Sequence, residues 1–254
     1  MENFKEIIVN GYNISYIYTF NATKPNKKLA LLIHGFGSDK SEKSNFEILA
    51  KELLNHNIDS IRFDLIGHGS SSGNTTELTI NKGLNIIDKL LKNYSHPIKY
   101  LIGASYGGTL AVLYTEKTSP NYIDKIILWS PLLDLTNNIL CPQNHFCKDF
   151  LGLEALNNIK KDGYSQFGIN GPKFNMNLYD DALKYSPEIS IKNIKCKIKI
   201  FHGDKDIIVP LKQSQNIVKN SNIGFSIIKN GTHCFYNDEP NIQNVIYETI
   251  KFLK

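Results

Sequence analysis

Residues 99–108 read Lys-Tyr-Leu-Ile-Gly-Ala-Ser-Tyr-Gly-Gly. A short apolar run, Tyr100 to Ile102, meets Gly103, Ala104, Ser105, Tyr106 and Gly107, and a helix-forming run follows from Thr109 to Thr118. This predicts a strand, a sharp turn and a helix, with Ser105 at the apex. A turn that tight strains the serine backbone and leaves no room for a Cβ two positions to either side, where Gly103 and Gly107 stand. The strain lifts the hydroxyl clear of the sheet, and the helix that follows aims its free N–H groups and positive end at any oxyanion formed there. G-x-S-x-G also arises by chance in glycine- and serine-rich turns. The strand before it and the helix after it are what make Ser105 a candidate nucleophile.

Outward from this stretch the chain alternates strands and helices. Asn10-Gly11, between residues 5–9 and 12–20, is a two-residue hairpin signal. Leu29 to Ile33 is a continuous apolar run of the kind buried on both faces of a parallel sheet, and it ends in His34, Gly35, Phe36 and Gly37. Helical spacing appears over 44–56 and 77–93, with a strand over 58–64 and a glycine- and serine-rich loop over 67–73 between them. Strands are predicted over 123–130, 197–201 and 224–228, and helices over 210–219 and 239–252. Such alternation implies a mostly parallel sheet with helices on both faces, whose ligands sit beyond the carboxyl ends of the strands.

From Pro131 to roughly Ser190 the alternation lapses. The stretch holds seven aromatic residues, among them Phe146, Phe167 and Phe174, and turn-forming pairs such as Cys141-Pro142 and Gly171-Pro172. Residues 1–130 and 191–254 are therefore expected to form one core domain, and 131–190 an inserted cap or lid. The cap's aromatics suit an aryl or fatty acyl group, or simply the cap's own core.

A serine hydroxyl needs a base within reach, and the base needs an orienting carboxylate. Among seven histidines, His233 lies in a turn directly after the strand at 224–228, where its ring can reach back over the sheet. The carboxylate comes from Phe201-His-Gly-Asp-Lys-Asp206, at another strand end. Asp206 is preferred there, and Asp204 is the alternative, with a bracing role otherwise. The chain order Ser105, Asp206, His233 is that of a nucleophile-elbow fold and differs from the chymotrypsin and subtilisin orders. The backbone N–H groups of Tyr106 and Phe36 complete the set as an oxyanion hole. His34 has no partner at metal-ligand spacing and reads as a loop brace.

A chain of 254 residues with 41% apolar content suits one large α/β domain. The net charge of +5 is scattered as single lysines, a solvated surface rather than a nucleic-acid stripe. No secretion signal is read in the first residues, and no apolar stretch approaches the ~18 residues of a membrane span. Cys141, Cys147, Cys196 and Cys234 lack C-x-x-C spacing, so free thiols and a cytoplasmic address are the simplest expectations. Cys234, beside the candidate base, reads as a small apolar filler.

The motifs HGFG at 34–37, FDLIGHGSSSG at 63–73, GASYGG at 103–108, HGDKDIIVP at 202–210 and GTHCF at 231–235 together resemble the α/β-hydrolase family. The likeness spans nearly everything outside the cap, and it is greatest to the branch holding monoacylglycerol lipases, serine aminopeptidases and cinnamoyl and feruloyl esterases. The resemblance implies an eight-stranded, mostly parallel sheet. It also implies Ser105 as nucleophile, Asp206 as acid, His233 as base, and Phe36 and Tyr106 as oxyanion donors, with Asp64 and His68 bracing the site. Ala104 and Tyr106 depart from the His and Gln frequent there and alter the pocket wall. The expected function is hydrolysis of small-molecule carboxylic esters through an acyl-enzyme, with no metal or organic cofactor. An aminopeptidase, a thioesterase and a non-catalytic binding protein on the same scaffold are the alternatives. An aminopeptidase would need acidic groups for a free amine, for which Glu154, Asp162, Asp180 and Asp181 are the candidates.

Overall fold

In the computed structural model, which describes residues 1–254, Asn10 and Gly11 take φ of 52° and 81° and close a hairpin between β1 (Glu2–Val9) and β2 (Tyr12–Thr19). The sheet continues through β3 (Lys28–Ile33), β4 (Ile58–Phe63), β5 (Ile98–Ala104) and β6 (Lys125–Trp129). Between β6 and the later strands lies the short hairpin of β7 (Ser165–Gln166) and β8 (Lys173–Phe174), and β9 (Lys197–Gly203) and β10 (Gly224–Ile228) complete the sheet. The order of the eight-stranded sheet is β1-β2-β4-β3-β5-β6-β9-β10. The β1-β2 and β2-β4 pairs are antiparallel; every pair from β4 to β10 is parallel.

Continuous apolar strands work here because both faces are covered. Leu29, Leu31 and Ile33 face one cluster of buried side chains, which includes Leu84 and Ile87 of α2 (Ile80–Lys92) and Leu110 of α3 (Tyr106–Lys117). Ala30 and Leu32 face the other, with Phe46 and Leu49 of α1 (Asn45–Asn55) and Val245 and Ile246 of α9 (Glu239–Leu253). The period-two alternation of side chains along each strand splits the core in this way. α3 starts at Tyr106, three residues before the helical run seen in the sequence, because the turn ends at Ser105 itself.

Between β6 and β9 the chain makes a π-helical turn (Thr136–Leu140), α4 (His145–Leu151), α5 (Leu153–Asp162), the β7-β8 hairpin, α6 (Met176–Lys184) and α7 (Pro187–Asn193). None of these helices exceeds ten residues, too short for a periodic pattern to stand out. This segment is tied to the turn before α2 and to the first residues of α2. Asp181 accepts from Ile80 N–H at 2.7 Å, Asn177 Nδ2 donates to Thr76 O at 2.9 Å, and Tyr185 O–H donates to Asn81 Oδ1 at 2.6 Å. Its aromatics mostly pack on one another: Phe146 and Phe150 lie 4.9 Å apart, Phe167 and Phe174 4.7 Å. The remaining helix, α8 (Leu211–Val218), links β9 to β10.

Candidate active site

Ser105 follows β5 directly and caps α3 with φ 49° and ψ −115°, a strained conformation for a residue with a side chain. The two glycines permit it. A Cβ at Gly103 would lie 2.4 Å from Gly107 O, and one at Gly107 would lie 2.0 Å from Ile33 O. Ser105 N–H donates to Trp129 O at 2.9 Å, and its carbonyl accepts from Leu132 N–H at 3.0 Å, which pins the turn to the end of β6.

The loop after β3 is braced by two buried imidazoles. Leu65 N–H donates to His34 Nε2 at 2.9 Å, so the ring proton sits on Nδ1 and is given to Gly35 O at 2.7 Å. His68 repeats the arrangement, accepting from Gly37 N–H at 3.0 Å and donating to Ile66 O at 2.9 Å. Burial pushes the His34 imidazole down to about 3, and the neighbouring His68 adds to the shift. Burial lowers His68 as well. Asp64, also buried, accepts from Lys40 N–H at 2.7 Å and Ser70 N–H at 2.8 Å and pairs with the Lys40 ammonium, so that FDLIGHG and the loop after β3 form one unit.

Within this frame Gly35, Gly37, Ser38 and Gly108 N–H groups all find acceptors. Phe36 and Tyr106 N–H find none. An unpaired backbone donor at a near-buried position is costly unless a ligand oxygen is to be bound there.

Acidification tests the two neutral imidazoles. Unfolded, each takes up a proton below about pH 6.5; folded, His34 stays neutral down to about 3. Their contribution is therefore intact above pH 6.5 and lost as the pH falls through that window. In His34→Gln, which keeps a donor and an acceptor, thermal midpoints measured between pH 7 and pH 4 are expected to fall less steeply than in the wild type. Equal slopes would remove His34 from this account.

His233 opens a short 3-10 turn after β10, and Cys234 and Phe235 behind it take φ of 50° and 61°. Asn45 Nδ2 donates to Cys234 O at 3.1 Å and Cys234 N–H to Ser130 Oγ at 3.3 Å, holding the bent loop. His233 Nδ1 lies 2.7 Å from Asp206 Oδ2. The other Asp206 oxygen accepts from Ile208 and Val209 N–H at 3.0 and 2.9 Å. Burial opposes ionisation of Asp206, but hydrogen bonds from His202 and His233 outweigh it and hold the carboxyl well below the usual range. Asp204 instead accepts from Asn230 N–H at 2.7 Å, a loop brace. His202 Nε2, fully buried, stands 3.3 Å from Asp206 Oδ2 and 2.9 Å from Val209 O, while Nδ1 meets Ser214 Oγ at 2.8 Å. In the sequence His202 is one histidine among seven, with nothing to place it beside Asp206.

Ser105, His233, Phe36 and Tyr106 border one cavity of about 230 Å³ at the carboxyl ends of the strands. The segment between β6 and β9 supplies much of its apolar wall through Ile139, Phe146, Leu151 and Phe167. Cys234 is fully buried behind the site and burial raises its thiol far above the ordinary value, which makes it an inert filler.

Residues 29–145 match the family model described as alpha/beta hydrolase fold. Among curated proteins, the human mitochondrial palmitoyl-protein thioesterase ABHD10 is 24% identical over 199 residues, 74% of this chain and 60% of its own length. Human monoglyceride lipase is 29% identical over 112 residues, 42% of this chain and 36% of its own. The chain thus spans less than two thirds of either relative. Among solved structures, Est1E of Butyrivibrio proteoclasticus, determined with ferulic acid bound, superposes with a TM-score of 0.80 at 21% identity over 98% of this chain and 97% of its own. No helix of this chain is long and apolar enough to cross a membrane.

Proposed function

This chain is an α/β-hydrolase in fold, and on that premise we propose that it cleaves carboxylic esters of small molecules through an acyl-enzyme on Ser105. The observation that carries the reading is a strained serine between two unpaired N–H groups, on a cavity it shares with an imidazole already bonded to a buried carboxylate.

Ser105 Oγ attacks the ester carbonyl while His233 Nε2 accepts its proton. The carbonyl oxygen becomes an oxyanion held by the Phe36 and Tyr106 N–H groups, donors typically worth ~3–4 kcal/mol each at the transition state. Asp206 keeps the Nδ1 proton in place and balances the imidazolium. His233 then protonates the departing alcohol, and a water deprotonated by His233 releases the acid and restores Ser105.

Residues 131–190 serve in this reading as the cap that shapes the acyl pocket. A cavity of about 230 Å³ falls below the ~300–1,000 Å³ of most ligand pockets, so compact acyl groups suit it better than long chains. Thioesters are the second reading, because the thioesterase ABHD10 is a relative and the same steps break that bond. Amides have less support: Asp181 is engaged with Ile80 N–H, and Glu154, Asp162 and Asp180 do not line the cavity. A cytoplasmic address belongs to the same proposal and suits the four free thiols.

Hydrolysis of p-nitrophenyl esters from acetate to palmitate, with one cinnamate-type ester, tests the assignment. The expected profile peaks at short acyl or aryl groups and falls toward palmitate. Turnover of acyl thioesters but of no oxygen ester would move the reading to a thioesterase.

A further inference from the structure

Glu42 is fully buried and enters none of the steps above. Its two oxygens are tied to two different walls of the site. Oε2 accepts from Gly35 N–H at 2.9 Å, the residue before the oxyanion donor Phe36. Oε1 accepts from the Tyr236 hydroxyl, three residues past His233, and the Tyr236 ring stands edge-on to the His233 imidazole at 6.2 Å. A Cβ at Gly35 would lie 3.2 Å from Ser105 Cβ and 3.7 Å from Glu42 Oε1, so the carboxyl sits close behind the nucleophile.

The chain is bent to put it there. Glu42, Lys43 and Ser44 take φ of 46°, 52° and 73°, three successive side-chain-bearing residues in the left-handed region that such residues normally visit singly. That turn sends Glu42 inward while Lys43 and Ser44 stay exposed. Burial pushes the Glu42 carboxyl up in spite of the hydrogen bonds from Tyr236 and Gly35, so its place is not one that solvation favours.

We propose that Glu42 is a positioning residue that clamps the oxyanion loop to the histidine loop, so that Phe36 N–H and the His233 imidazole keep their places around Ser105 as charge develops. The proposal rests on the serine-hydrolase reading above. Misplacement of catalytic groups by about an ångström costs on the order of 100-fold. Glu42→Gln keeps the size and can still accept from Gly35 N–H through its carbonyl, but the charge is lost and the Tyr236 hydroxyl must turn from donor to acceptor of the amide N–H₂, which weakens the clamp on the histidine side. Tyr236→Phe removes only the hydroxyl that joins the histidine loop to the clamp.

The test follows labelling of Ser105 by a fluorophosphonate, which needs no knowledge of the substrate, together with kcat and KM on a p-nitrophenyl ester. For Glu42→Gln the expected result is labelling and kcat each slowed roughly 10- to 100-fold, with KM little changed. Tyr236→Phe should slow both in the same sense, and the double variant should be no slower than Glu42→Gln, since both act through one clamp. A merely structural role would lower the thermal midpoint and leave both rates per folded molecule unchanged, and that result overturns the proposal. Where Glu42→Gln does not fold, Tyr236→Phe decides alone: wild-type kcat and labelling overturn it. A wild type that is not labelled at all, like the Ser105→Ala control, overturns the serine-hydrolase reading itself and this proposal with it.

Discussion

Ser105→Ala is expected to lower kcat for a p-nitrophenyl ester by roughly 10⁴- to 10⁶-fold, the loss seen when a serine nucleophile is removed, with little change in thermal midpoint. The serine Oγ makes no hydrogen bond within the chain, so its removal leaves no partner unsatisfied. Nor does alanine change the backbone demand, since the φ of 49° strains any residue with a Cβ. The remaining rate would come from binding and the oxyanion donors. A midpoint and circular dichroism spectrum like the wild type's, measured with the rates, separates lost chemistry from lost fold. Activity within tenfold of wild type would end the assignment of Ser105 as nucleophile.

Asp206→Asn should be nearly as damaging, roughly 10³- to 10⁴-fold in kcat. Four N–H groups converge on this carboxylate: Ile208 and Val209 on one oxygen, His233 and His202 on the other. An asparagine must turn its own N–H₂ toward one of those pairs. If it faces the histidines, His233 is driven to the tautomer with its proton on Nε2 and can no longer accept from Ser105. If it faces the backbone pair, the acid loop itself is pushed apart, at ~1–3 kcal/mol for each donor left unsatisfied. Asp204→Asn is the matched control, because Asp204 serves only Asn230 N–H and should stay near wild-type activity. Equal losses in the two variants would show that loop integrity, not the Asp206–His233 bond, sets the rate.

Much of the fold was legible because glycine and strand-end chemistry is local. Gly103 and Gly107 announce a close approach of backbones, and the structure shows what a Cβ there would strike. Asn10-Gly11 announces a turn with two positive φ values, and has them. Asp206 and Asp204 share one loop, so the sequence offers only a preference between them; in the structure Asp206 meets the His233 ring while Asp204 meets Asn230 N–H. Glu42 was not legible at all. It sits in a short polar run, and its contact with Tyr236 spans 194 residues. His202 was invisible in role for a similar reason, since its meaning depends on Val209, Ser214 and Asp206 folding around it. The helices between β6 and β9 escaped because none is longer than ten residues, and α6 is held by bonds to Thr76 and Ile80 rather than by a long apolar face of its own.

Rapid mixing of the wild type with p-nitrophenyl acetate, followed by acid quench and mass analysis of the Ser105 peptide, tests the acyl-enzyme most directly. The expected result is a burst of p-nitrophenolate matched by an acetyl group on that peptide, which disappears as turnover completes. Steady ester hydrolysis with the Ser105 peptide unmodified at every time point, or an acetyl group found only on another residue, would contradict it.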